Sequence, residues 1–346
     1  MSATQIPTST QAWLVDGKGI DGLELKTVPV PAIEAHEVLV KFHAVSLNYR
    51  DLLVAQGSYP MDCALPVVPC SDGGAEVIAV GAQVTSLAVG DVVATLFNQG
   101  HQFGALTPRT MQTGLGASLD GALRQFGVFA ATGLVRAPAG WGYAQAATLP
   151  CAALTAWNAL HGGRGARVQP GDAVLVQGSG GVSVFALQLA KAAGAFVAAT
   201  TSSDAKAARL RALGADAVLN YRSAPEWGLR ARALSPRGEG YDFVIEVGGE
   251  ATLAESVAAV KMEGTIAQIG FVGGAGKATS PLEPLLRTFT HRGICVGSRA
   301  LFLDMVRGLE VNKIEPVIDE KVFEFTEAKE AYEYLKAAKH FGKLVS

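Results

Sequence analysis

The sequence predicts an α/β protein: a doubly wound parallel sheet joined to a second, mainly antiparallel β domain. Residues 173–194, AVLVQGSGGVSVFALQLAKAAG, run from an apolar strand through a glycine cluster into an amphipathic helix that closes on Gly194. Four short apolar runs follow, AFVAAT (195–200), DAVLN (216–220), DFVIEV (242–247) and TIAQIG (265–270), separated by helix-capable stretches such as DAKAARLRALGA. Strands alternating with helices are what a parallel sheet requires, because each crossover must return across a sheet face. Residues 1–152 differ: EVLVKFHAVSL (37–47), GGAEVIAVGAQV (73–84) and VGDVVATL (89–96) are β-type runs punctuated by glycine and proline.

The remaining segments are assigned in order. Residues 1–13 are polar without an apolar core and predict a frayed tail, neither signal peptide nor membrane anchor. The stretch 97–126 lacks periodicity and predicts a long surface loop. The run 292–302, RGICVGSRALF, predicts the final strand of the parallel sheet, with an apolar edge suited to pairing with a twin in a homodimer. From about 321, FEFTEAKEAYEYLKAAKHFGKLV predicts a short strand, a helix capped by Thr326 and a closing strand that rejoins the first domain. The expected domains are therefore 1–152 with 301–346, and 153–300.

Composition limits the function classes. A chain of 346 residues with 49% hydrophobic and 17% charged residues fits a two-domain globular protein. A net charge of -2 with no Lys/Arg run gives no electrostatic signal for nucleic acid or anionic membrane. Four scattered cysteines, Cys63, Cys70, Cys151 and Cys295, make no disulfide framework and point to a reducing, cytoplasmic setting. The six histidines lack metal-binding spacing, and no G-x-S-x-G elbow anchors a hydrolase triad.

The glycine cluster carries the first chemistry. Gly178, Gly180 and Gly181, with Ser179 and Val182, form a turn at a helix N-terminus where backbone N–H groups can meet a pyrophosphate. Ser183 stands where strict G-x-G-x-x-G asks for glycine, so a slightly looser helix-to-strand contact is expected.

SLNYRDLLVAQGSYP (46–60), VPCSDGGAEV (68–77), LPCAALTAWNAL (149–160), VQGSGGVS (176–183), GADAVLNY (214–221), EVGG (246–249) and GKLV (342–345) occur in this order along the chain. The set resembles the zinc-independent medium-chain dehydrogenases/reductases, in their alcohol dehydrogenase-like and quinone oxidoreductase-like branch. That resemblance implies a Rossmann nucleotide-binding domain and a GroES-like catalytic domain. Zinc members hold the catalytic ion with Cys, His and Cys; the matching positions here are Asn48, Ser71 and Cys151, so no zinc is expected.

An NAD-preferring sheet carries an acid at the end of its second strand, where this chain has Thr201. The nearest acid, Asp204, is expected as a helix N-cap. Ser202 and Ser203 can donate to a 2′-phosphate and Lys206 supplies charge; the resemblance adds Tyr221, and the expected cofactor is NADPH. Strand-end geometry and the resemblance together place Gly248, Ile269, Gly270, Phe271 and Lys343 at the cofactor as well. By resemblance, Asn48 and Thr155 hold the nicotinamide or its ribose, and Tyr59 is a proton donor or a cleft wall. Tyr49 and Asp51 complete the catalytic candidates. Without a metal, a delocalised enolate or phenolate is easier to stabilise than an alkoxide, which favours reduction of small enones or quinones. A metal-free alcohol dehydrogenase or ketoreductase, and a non-catalytic NADPH-binding protein, are the alternatives.

Overall fold

A computed structural model describes residues 6–163, 167–224, 226–276 and 278–346. They form two compact units, 1–154 with 297–346, and 155–296.

The first unit begins with a two-stranded antiparallel ribbon, β1 (Ser9–Leu14) on β2 (Glu24–Pro29). The expected frayed tail is thus a strand from Ser9 onward, because Ala12 and Trp13 bury into the core; residues 1–5 lie outside the described residues. Its main sheet has β3 (Glu37–Leu47), β4 (Asp72–Val80), β5 (Val92–Thr95), β6 (Phe126–Ala130) and β7 (Leu134–Arg136). The chain end returns as β14 (Leu344–Val345) against β3, giving the order β14-β3-β4-β5-β7 with β6 on β3, all antiparallel. A side chain at Gly74 in β4 would fall on the Tyr143 carbonyl, so glycine there lets the helix Tyr143–Ala147 lie on the sheet.

Three expectations need correction in this unit. The stretch 97–126 is not a surface loop: it carries a short helix, Pro108–Met111, and buries Leu115, Ala117, Ala122 and Leu123 in the core. Irregular backbone can still be core when its side chains are apolar at irregular spacing. No strand forms in 321–325, and the cap is not Thr326. The helix Ala328–Lys336 follows a 3₁₀ turn in which Glu324 N donates to Glu327 Oε2 at 2.9 Å. Finally, 292–302 is not one strand, because Ser298 caps a helix from Arg299 to Asn312, its hydroxyl accepting from Leu301 N.

The second unit is a six-stranded parallel sheet: β8 (Ala173–Gln177), β9 (Phe196–Thr201), β10 (Ala217–Asn220), β11 (Tyr241–Glu246), β12 (Val260–Gln268) and β13 (Thr290–Gly293). The order β10-β9-β8-β11-β12-β13 reverses direction between β8 and β11, which is the ligand-binding switch point of a doubly wound sheet. All five residues of β8 are buried, as expected of a strand covered on both faces.

Candidate functional site

In the second unit a candidate nucleotide-binding turn grows from the end of β8. Gly178 sits at φ +76°, where side chains are disfavoured, and a Cβ built on Gly178 or Gly180 would meet nothing within 4 Å. The helix Gly181–Ala192 opens directly above this space, with Gly180 as N-cap and Gly181 and Val182 in its first turn. Open room over bare backbone, facing helix N–H groups, fits a pyrophosphate. Ser179 is buried at the turn. Ser183 does not loosen the packing: its buried hydroxyl donates to Gln177 O at 2.5 Å and ties the helix to the strand end.

Sequence reasoning missed the group that shapes the switch point. Glu246, fully buried at the end of β11, accepts through Oε1 from Gly248 N (2.7 Å), Gly249 N (3.0 Å) and Thr252 Oγ1 (2.5 Å). Its Oε2 accepts from Gln177 Nε2 at 2.8 Å and from Ser256 Oγ. Gln177 Oε1 in turn accepts from Val247 N at 3.3 Å, so one carboxylate and one amide bind the two central strand ends together. An acid closing a buried strand, followed by two glycines and by hydroxyls at positions 252 and 256, was the available signal. The turns beyond β11 and β12 then lock. Ile269 N donates to Glu246 O, Gly273 N donates to Gly248 O, and a Cβ on Gly249 (φ +78°) would stand 2.7 Å from Phe271 Cα. This puts Gly248, Ile269, Gly270 and Phe271 in one cluster at the strand ends, with Phe271 48% exposed. Thr155 is buried in the helix Leu154–His161.

At the end of β9, Thr201 is buried and turned onto its own loop, its hydroxyl accepting from Ser203 N at 3.3 Å. The N-cap of the helix Asp204–Ala212 is Ser203, whose hydroxyl accepts from Lys206 N, and not Asp204. Asp204 is the first helical residue, where its charge complements the dipole, and it accepts from Asn220 Nδ2 at 2.9 Å. Ser202 and Lys206 are half-buried beside this turn, and Tyr221 is 41% exposed after β10.

In the first unit, taken by itself, buried charges form a closed ionic cluster. The helix Tyr49–Ala55 starts at Asn48, whose N–H donates to Asp51 Oδ2 at 2.8 Å while Asp51 N donates to Asn48 O. Asp51 is 0% exposed, and Arg50 Nη1 donates to its Oδ1 at 3.0 Å. Burial pushes the Asp51 carboxyl up to about 6, against the opposing pull of Arg50. Burial works against the charge of Arg50, but Asp51 and then Tyr59 outweigh it and hold its pKa above the ordinary arginine value. Its guanidinium stands 5.1 Å from the Tyr59 ring centroid and 4.8 Å from that of Phe97. Tyr59 Oη is 3.6 Å from Met61 Sδ, and Tyr49 is 40% exposed.

The Lys343 ammonium is 3% exposed inside the first unit, donating to Asn48 Oδ1 (2.5 Å), Leu47 O (3.1 Å) and Asp72 Oδ2 (3.4 Å). Asp72, also buried, accepts from Ser71 Oγ at 2.6 Å and from Cys151 N at 3.3 Å. Cys70, at φ +67°, makes the turn that directs Ser71 and Asp72 inward.

These positions do not fit a zinc ion. Asn48 Oδ1 is occupied by a cation, Ser71 donates to a neighbouring carboxylate, and burial then Asp72 push the Cys151 thiol well above its ordinary pKa. Among the described residues no group of three His, Cys, Asp or Glu could hold a metal, and all four cysteines are free thiols.

Comparison with known proteins agrees with the fold. A family model described as "Alcohol dehydrogenase GroES-like domain" matches residues 34–139, and one described as "Zinc-binding dehydrogenase" matches 181–310. A zinc-type alcohol dehydrogenase-like protein of Schizosaccharomyces pombe is 45% identical over 332 residues, covering 94% of this chain and 95% of the relative. A solved NAD-dependent alcohol dehydrogenase is 32% identical with a TM-score of 0.86, covering 97% of this chain and 98% of its own. The 2-octenoyl-CoA carboxylase reductase CinF, solved with NADP and 2-octenoyl-CoA, is 25% identical with a TM-score of 0.85, covering 99% and 88%.

The chain therefore belongs to the medium-chain dehydrogenases/reductases, in the alcohol dehydrogenase-like family. It is an NAD(P)H-dependent oxidoreductase.

Proposed function

We propose that the protein is an NADPH-dependent, zinc-independent reductase of small conjugated carbonyls or quinones. The observation that carries this reading is the Asn48–Lys343–Asp72 cluster, in which the amide at a position matching a zinc ligand is held by a buried ion pair. A localised alkoxide is hard to stabilise there, whereas a delocalised enolate or phenolate needs only hydrogen-bond donors. When bound, the nicotinamide cofactor supplies the hydride. The turn at Gly178–Val182 holds its pyrophosphate on backbone N–H groups. The residue that ends β9 is Thr201 and not a carboxylate, and the nearby Asp204 is engaged by Asn220. Ser202, Ser203, Lys206 and Tyr221 then receive a 2′-phosphate, which supports NADPH over NADH. Tyr59, held against Arg50, supplies the proton to the α-carbon or walls the cleft. Thr155 orients the nicotinamide end.

The names of the relatives favour a second reading, a metal-free alcohol dehydrogenase acting on the C=O bond. The edge strand β13 supports a two-fold homodimer, because its row of unpaired backbone groups is completed by a twin. Among the described residues no helix is long and apolar enough to cross a membrane.

The test is elemental analysis of purified protein combined with enone turnover in a chelator. Far less than one zinc per chain and undiminished turnover are expected; one ion per chain with turnover abolished by the chelator overturns the reading.

A further inference from the structure

Asn48 carries a second, separable feature. Lys343 Nζ donates to Asn48 Oδ1 at 2.5 Å, and an ammonium can only donate. The oxygen must therefore face Lys343, and the amide cannot flip. Lys343 cannot withdraw either, because Leu47 O and Asp72 Oδ2 hold the same ammonium at 3.1 and 3.4 Å. The consequence is that Asn48 Nδ2 faces the opposite way, buried and without a hydrogen-bond partner among the described residues. A buried donor left unpaired costs stability, so a locked and unpaired NH₂ group is one that a ligand completes.

We infer that Asn48 Nδ2 is the hydrogen-bond donor to the acceptor's carbonyl oxygen, and that Lys343 is the positioning residue that fixes the amide in the donating orientation. The inference rests on the conjugate-reduction reading above. The β-carbon of the enone receives the hydride with its electron pair, the C=C pair moves to the Cα–C bond, and the carbonyl π pair moves to oxygen. Asn48 donates a hydrogen bond to that oxygen as its charge develops and transfers no proton. The α-carbon is protonated afterwards, and the cofactor leaves oxidised. The electrophile is thus an amide aligned by a buried ammonium, in the position that zinc members give to a metal ligand.

The test uses 4-nitrophenol as a stable oxyanion mimic, bound to the enzyme with NADP⁺ and titrated by absorbance, with cofactor affinity measured separately by fluorescence. In the parent, binding is expected to lower the phenol's pKa. Asn48→Asp keeps an acceptor for Lys343 but puts an oxygen where the donor stood, and Asn48→Ala removes the donor without adding charge. Both are expected to abolish the lowering while changing the cofactor dissociation constant less than about threefold. A ribose contact behaves differently, because a ribose hydroxyl can donate to aspartate as well as accept from asparagine. Lys343→Arg, which keeps a cationic donor, is expected to retain more of the effect than Lys343→Met. Unchanged phenol pKa in both Asn48 variants overturns the inference even if enones are reduced. Failure of the parent to reduce any enone or quinone overturns the functional reading while leaving the phenolate result to stand or fall alone.

Discussion

The candidate binding turn of the second unit and the charged cluster of the first are built by opposite means. In the second unit the turn after β8 is open backbone, with space above Gly178 and Gly180 and helix N–H groups facing it. In the first unit the segment after β3 is closed side chain: Arg50, Asp51, Asp72 and Lys343 are buried and paired with one another. A turn built of backbone leaves little room for change by substitution, whereas a cluster of paired side chains can change its chemistry one residue at a time while the fold stays the same.

That contrast can be broken by substitution, and the largest effect is expected in the closed cluster. Asp72→Ala strands the Lys343 ammonium and removes the acceptor for Ser71 and for Cys151 N, so a loss of about 3–5 kcal/mol in urea unfolding is expected. A loss below about 1 kcal/mol would mean that the cluster is not a structural unit. In the open turn the expectation reverses. Gly180 has an ordinary φ of −78° and free space around its Cβ, so Gly180→Ala should leave unfolding unchanged yet weaken cofactor binding by about tenfold or more. Lost stability with intact binding would refute the cradle.

A smaller effect separates catalysis from stability. Burial raises the folded Asp51 pKa from 3.8 to about 6, so the carboxylate pairs with Arg50 above pH 6 and releases it below. Turnover should therefore fall as pH drops through about 6, and the limb should vanish in Asp51→Asn. The stability contribution has the other sign: a folded pKa above the unfolded one favours the fold as pH falls from about 6 toward 3.8. Activity loss tracking unfolding in that window would contradict this assignment.

Much of this architecture was legible from local pattern. The run 37–47 is β3 residue for residue, and the glycine turn stands where a strand meets a helix. Elements failed where a neighbour distant in sequence decided the outcome. Residues 97–126 became core because other segments of the first unit cover Leu115 and Leu123. Ser203 displaced Asp204 as a cap because Asn220 engages the carboxylate. The site's chemistry was least legible: Lys343 meets Asn48 across 295 residues, and Glu246 meets Gln177 across 69. Spacing marks that such residues are unusual, but the direction of a side chain is set by packing.

Metal-free reduction of a conjugated acceptor with NADPH is tested by oxidation of NADPH and of NADH, in the presence of a chelator, against matched enone, quinone and simple-ketone acceptors, with products identified. Enone or quinone turnover, saturated products from the C=C bond of enones, and a preference for NADPH are expected. Turnover of simple ketones alone, or enones reduced only at C=O, would contradict it.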